Sequence, residues 1–304
     1  MTIYEVRFLQ TGRPSVKELS VAIPASVVSD TPHLREKTAK LGTIARASSI
    51  FGVHEIILYL DDPKQDQEAD MKFCSEILRY IETPQYLRKR MFKLSPTLRF
   101  TGILPPLQAP HHNVPHTISE VNVGDVREGV VVSRSGQNMI VDAGLEETIL
   151  TPGTYRAGER VTLRLISVGR KLRGELETSK TSISQGSETR PYWGYKVTRT
   201  LSLGKLLQER DFSLKIGTSR YGSQITEIWP SLKAGLKRAE TVLVVFGSPK
   251  SGLREILQHE KLDPRYVFDY FVNTIPNQQT ATVRTEEAIP VSLSILNIAQ
   301  ELPG

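Results

Sequence analysis

Between Thr241 and Leu296 the chain carries three signals in succession: TVLVVFGSP, YVFDYFVNTIPNQQT and ATVRTEEAIPVSLSILN. The first two are apolar, strand-like runs that break abruptly into small and polar residues. Strands of a parallel sheet end this way where a ligand sits, because the loops at their carboxyl ends form the crevice. The third starts polar and runs into an apolar segment long enough to lie across the other two. Consecutive loops of this kind build a pocket from backbone amides and carbonyls, with few side chains doing chemistry.

The same α/β pattern opens the chain. Residues 19–29 and 55–61 read as buried strands, and Thr31 to Phe51 has helical spacing at Leu34, Thr38, Leu41, Ile44, Ala45, Ala47 and Ser48. Thr31-Pro32 suits a helix start and Gly52 its end. Strand, helix, strand marks a parallel sheet. Further helices are expected over 66–82 and 84–94. The pattern then changes. TGILPPLQAPHHNVPH (101–116) is proline-dense and aperiodic, so it reads as a linker. REGVVVSRSGQNMIVDAG, LEETILTPGTY and ERVTLRLISVGRKLRGELET supply five short strands, a small barrel of oligonucleotide-binding type or a related interaction module. From Tyr192 the α/β pattern resumes, with a helix-like stretch over 194–209. Strands follow in FSLKIGTSRYG, VLVVFGSP and VFDYFVNTIP, with a helix over Ser251 to Glu260. The expected division is therefore 1–105 and 186–304 for the α/β part, with 106–185 as linker and inserted barrel.

At 304 residues the chain can bury a substantial core. No run approaches the roughly 20 apolar residues of a membrane helix, and the start lacks an apolar signal core, so a cytoplasmic setting is expected. The single Cys74 excludes an intrachain disulfide. A net charge of +6 is compatible with a polyanionic partner. Arg88, Lys89, Arg90, Lys93 and Arg99 crowd one segment with Tyr86, Phe92 and Phe100, and Arg170, Lys171 and Arg173 mark a hairpin tip. Such clusters suit backbone phosphates with bases stacked on the aromatics, or are solvated faces.

Several chemistries are excluded. FGSPKSG has two glycines spaced as in a phosphate-binding loop, but Leu253-Arg254 replaces the lysine and hydroxyl that the phosphates and magnesium require. No G-x-G-x-x-G opens a helix. His111, His112 and His116 are close, yet adjacent histidines rarely reach one ion; a structural or RNA-contacting role suits them better, and no metal is expected. NTIPNQQT offers Asn273, Thr274 and the backbone around Ile275-Pro276 as a grip on a purine edge, or is an ordinary turn. Thr285 is a candidate helix cap with Glu286 and Glu287 behind it. Pro290 is the complication: in a first helical turn it would leave both acids in the preceding loop.

Seven segments in order, APHH (109–112), REGVVV (127–132), YWGY (192–195), IGTSRYG (216–222), VVFGS (244–248), NTIPNQQT (273–280) and TVRTEEAI (282–289), resemble the SPOUT superfamily of S-adenosylmethionine-dependent RNA methyltransferases. Within it the chain looks like the uridine-N3 lineage with an inserted barrel, whose human member was first described as a centromere and spindle protein. The resemblance implies a deep trefoil knot at the C-terminus, a homodimer and a ribosomal RNA substrate. It implies that S-adenosyl-L-methionine is held by Phe246, Gly247 and Ser248, by Asn273, Thr274, Ile275 and Pro276, and by Thr285 and Ala288. Arg284 or Arg220 would stabilise a uridylate anion and Glu286 or Glu287 accept the proton. Arg220 stands one place earlier than the resemblance leads one to expect, with Tyr221 in its stead. The alternatives are a catalytically silent RNA-binding scaffold and an adaptor whose barrel binds protein.

Overall fold

The computed structural model describes residues 18–112, 114–169, 171–177 and 192–301. Its body is one parallel sheet of six strands: β1 (Glu18–Pro24), β2 (Glu55–Tyr59), β8 (Lys196–Thr200), β9 (Leu214–Gln224), β10 (Thr241–Val245) and β11 (Tyr270–Asn273), in spatial order β11-β9-β10-β1-β2-β8. The alternation of side chains along a strand divides the core in two. Val21 and Ile23 of β1 with Val242 and Val244 of β10 face helices α1 (Leu34–Ile50), α2 (Glu68–Glu82), α5 (Ile225–Arg238) and α8 (Thr285–Glu301). Ala22, Ile57, Leu243 and Val245 face the shorter α4 (Leu203–Glu209) and α6 (Leu253–His259). The chain runs outward from β1 through β2 to β8, crosses to β9, steps inward to β10 beside β1 and ends outermost at β11. Strands from both ends of the chain therefore meet at the β1–β10 seam, and ligands in open α/β sheets lie beyond the carboxyl ends of such strands.

Between β2 and β8 in the chain come α3 (Gln85–Met91) and a closed five-stranded barrel, β3 (Val126–Ser135), β4 (Asn138–Asp142), β5 (Ile149–Pro152), β7 (Arg173–Leu176) and β6 (Arg160–Ser167) in spatial order. Its interior is Val131, Met139, Val141, Ile149, Leu163 and Leu165, taken at alternate positions of each strand. The five expected strands and the barrel are all present.

One local reading needs correction. The 194–209 stretch is not one helix: β-branched Val197, Thr198 and Thr200 make an edge strand paired with β2, and Ser202 then caps α4 by accepting from the Lys205 N–H at 3.1 Å. A helix over Ile225–Arg238, a span left unassigned above, carries Pro230 inside it and buries Ile225, Leu232 and Leu236. Pro290 likewise lies inside α8 without displacing its start, so Glu286 and Glu287 belong to the first helical turn rather than to a loop. The proline-dense linker is fixed as well. Leu107 and Ala109 are buried, and the Arg46 guanidinium donates to the Leu107 carbonyl at 2.5 Å.

Candidate functional site

The loops after β10 and β11 and the start of α8 meet at the carboxyl edge of the sheet. Phe246 is buried beside the seam. Its N–H donates to the Ala22 carbonyl at 3.0 Å, and its own carbonyl accepts from the Tyr59 hydroxyl at 2.5 Å. The chain then turns back on itself. Ser248 N–H donates to the Ser251 carbonyl, and Ser251 N–H to the Ser248 hydroxyl, both at 2.9 Å. A Cβ on Gly247 would lie 3.2 Å from Gly252 Cα and from the Ser251 carbonyl, so a side chain there presses against the backbone of the loop's other limb.

Two hydroxyls of the last segment bind this arrangement together. Thr285, at the start of α8, donates to the Gly247 carbonyl at 3.1 Å. Ser292, two turns on, pairs with the buried Thr274 hydroxyl at 2.7 Å. In the second loop Asn273 Oδ1 accepts from the Ile275 N–H at 2.9 Å, while its amide donates to the Arg220 carbonyl at 3.2 Å. Pro276 and Ala288 are half-buried in the loop and helix turn that flank these bonds. Thus Gly247 and Thr274 are each bonded to α8, through Thr285 and Ser292.

The charged candidates are arranged unequally. Arg284 is exposed, and its N–H donates to Glu287 Oε2 at 2.9 Å, an end-capping bond of the kind an acid in the first turn makes. Glu286 points the other way. Its carboxylate is 3.3 Å from the Lys40 ammonium of α1, which is itself 2.6 Å from Asp30 after β1. The Lys40 and Glu286 side chains are only 6% and 13% exposed, so this pair anchors the start of α8 to α1 from inside. Burial pushes the Asp30 carboxyl up, but the Lys40 hydrogen bond and charge outweigh it and hold it below its ordinary value. Arg220 donates to the Ala281 carbonyl at 2.5 Å and to the Tyr221 hydroxyl at 2.6 Å.

The basic clusters lie elsewhere. Lys89 and Arg90 are exposed on α3, with Arg90 2.6 Å from Asp142 of the barrel. Arg88 caps the end of α2 instead, donating to the Thr83 and Ile81 carbonyls at 2.9 and 3.2 Å. Lys171 and Arg173 are exposed at the start of β7, and Arg170 lies outside the described residues.

APHH, REGVVV and YWGY do not approach the loops. They meet at a buried junction between barrel and body. Glu82, at the end of α2, receives a hydrogen bond from Arg160 of β6 at 2.5 Å and lies 3.0 Å from His111 Nε2. Arg160 also pairs with Glu128 of β3, whose carboxylate accepts from Thr162 and from the Trp193 indole, both at 2.6 Å. Gly194, at φ +88°, closes over the group, since a Cβ there would meet Glu82 and His111. Burial raises the Glu82 carboxyl, but the His111 bond and Arg160 hold it below its usual range. Burial beside His111 pushes the His112 imidazole down to about 4.

Sequence reasoning missed Lys40, Asp30 and Ser292. Lys40 had a legible signal: it stands four residues before Ile44, on the apolar stripe of α1, where an unpaired lysine is not tolerated. Among the described residues no helix is long and apolar enough to cross a membrane.

The family whose description is "Putative RNA methyltransferase" matches residues 18–296. A 28S rRNA (uridine-N(3))-methyltransferase of Mus musculus is 34% identical, over 94% of this chain and 77% of its own length. The Homo sapiens protein of the same name is 33% identical, over 94% and 78%. An uncharacterised protein of Halobacterium salinarum is 31% identical, over 92% and 99%. The chain, matched along almost its whole length, belongs to this family of RNA methyltransferases.

Proposed function

We propose that the protein transfers a methyl group from S-adenosyl-L-methionine to ring nitrogen 3 of a uridine in ribosomal RNA. The observation that carries this reading is the fastening of the loops after β10 and β11 to one helix by the Thr285–Gly247 and Thr274–Ser292 bonds. The surroundings suit such a donor. Gly247 brings backbone within reach of a ligand, and Asn273, Thr274, Ile275 and Pro276 offer an amide, a hydroxyl and an apolar wall to a purine and an amino-acid moiety. The relatives named for uridine-N3 methylation of 28S rRNA support the acceptor.

When bound, the donor supplies an electrophilic methyl group. The chain's task is then alignment and proton removal. Phe246, Gly247, Ser248, Thr285 and Ala288 hold the donor's position. Arg284 offsets the negative charge that develops on the uracil as its N3 proton leaves. Glu286, oriented by its contact with Lys40, or the exposed Glu287 takes that proton. Lys89, Arg90, Lys171 and Arg173 hold the phosphate backbone, together with Arg170.

The cytoplasmic, homodimeric and knotted states are part of the same reading. Val291 and Ile298 are 40% and 48% exposed on one stripe of α8, which supports its use as a subunit contact. The threaded C-terminal path is what the family resemblance implies for α8, which packs against both α1 and α5. Calorimetry with S-adenosyl-L-methionine tests the reading: micromolar binding, lost in Gly247→Val, is expected. Absence of binding by the wild-type dimer would leave only an RNA-binding scaffold.

A further inference from the structure

Strand β9 leaves its ladder midway. It pairs with β11 at Ile216 and Gly217, and again at Ser223 and Gln224, while β11 runs on through Tyr270–Asn273 without a gap. Residues 218–222 therefore have no counterpart on β11 and form an excursion between the two paired stretches. Gly222 makes the return possible, since a Cβ there would lie 2.6 Å from the Val272 backbone.

The excursion presents Tyr221, whose side chain is 59% exposed. A tyrosine left this open contributes little to a core. Yet it is held. The Arg220 guanidinium lies 4.7 Å from its ring centroid and donates to its hydroxyl at 2.6 Å. Arg220 is in turn fixed to the Ala281 carbonyl, and its own carbonyl receives the Asn273 amide. So the ring is braced by a cation against the same loop that carries Asn273 and Thr274, and the rest of its surface faces solvent. A pinned aromatic ring with an open surface is a stacking platform for a nucleobase, and the cation behind it favours an electron-rich ring system.

We propose that Tyr221 is the residue on which the acceptor uracil stacks beside the donor loops, with Arg220 bracing it. This rests on reading the site as an RNA methyltransferase. It assigns recognition of the target base to the excursion, separately from the backbone contacts of the barrel and α3.

The test is an NMR titration of the trinucleotide UpUpU into wild type, Tyr221→Phe and Tyr221→Ala, with S-adenosyl-L-methionine affinity measured on each by calorimetry. Stacking on one aromatic side chain predicts a loss of about 5- to 150-fold in the alanine variant. The phenylalanine variant keeps the ring and should stay within about twofold of wild type. Donor affinity should be the same in all three. Equal UpUpU affinity in wild type and Tyr221→Ala overturns the proposal, as does failure of wild type to bind UpUpU. A phenylalanine variant as weak as alanine assigns the role to the hydroxyl and overturns it too. So does a shift in dimer dissociation with RNA affinity unmoved. If wild type binds UpUpU through Tyr221 but not the donor, the platform stands and the methyltransferase reading falls.

Discussion

Replacing Thr285 with valine removes one hydrogen bond and almost no volume. The bond is the 3.1 Å contact from the Thr285 hydroxyl to the Gly247 carbonyl, and the Thr285 residue is 6% exposed. Its loss leaves that carbonyl without the hydroxyl, at about 1–3 kcal/mol. At ~2.1 cal/mol/K of unfolding entropy per residue, 304 residues convert each kcal/mol to about 1.6 °C, so the melting temperature should fall by about 2–5 °C. The larger effect should appear on the ligand. If the loop after β10 holds the donor only while fastened to α8, the same energy enters the binding constant, and affinity should weaken by roughly 5- to 150-fold. Thr285→Ser restores the hydroxyl and should recover most of both. Calorimetry with S-adenosyl-L-methionine and a thermal melt on the three proteins decide the matter. A valine variant that melts lower but binds the donor as wild type does would show that the fastening serves stability alone. The loops would then not act as one site.

Other outcomes follow from the barrel junction and the sheet edge. Arg160→Met removes the cation between the buried Glu82 and Glu128, and urea unfolding should show a loss of about 3–5 kcal/mol; a loss below about 1 kcal/mol would mean the junction is solvated. His112, with its folded-state value lowered from 6.5 to about 4, contributes stability that is complete above about pH 6.5 and is lost as pH falls toward 4. The unfolded chain binds the extra proton in that window, which is worth about 3 kcal/mol, and Glu82 titrates in the same direction at lower pH. His112→Phe should flatten the acid side of a urea-midpoint profile, and an unchanged profile would refute the assignment. Gly222→Ala forces a methyl group to 2.6 Å from the Val272 backbone and should destabilise by at least about 1–3 kcal/mol in thermal melts; a neutral variant would show that the excursion is loosely held.

Periodicity alone located most of the frame. The strand ends at Val245 and Asn273 were legible because each apolar run stops at a residue that hydrogen-bonds or turns, and the barrel because its strands alternate around short turns. What was not legible depends on tertiary context. Lys196–Thr200 is a strand because β2 offers an edge to pair with, while its spacing to Leu203 and Leu206 imitates a helix. Pro230 and Pro290 each lie past the first turn and cost their helix one intrahelical bond, yet the buried faces at Ile225, Leu232 and Leu236 and at Ile289, Leu293 and Leu296 keep both helices intact. In the site, the backbone-rich loops could be read, but Lys40 and Asp30 come from another helix and another loop, and only folding places them beside Glu286. APHH, REGVVV and YWGY resembled the family without declaring their role. It is the junction at Glu82, a contact of residues from four separate parts of the chain.

The proposed reaction alters one atom of one base. Purified protein incubated with S-adenosyl-L-methionine and unmodified ribosomal RNA transcripts, followed by digestion and nucleoside mass spectrometry, reads it directly. The expected methylated product is 3-methyluridine, absent when Gly247→Val replaces the wild type. Methylation at the ribose or at a ring carbon, or no methylated nucleoside from a protein that binds both donor and RNA, would contradict it.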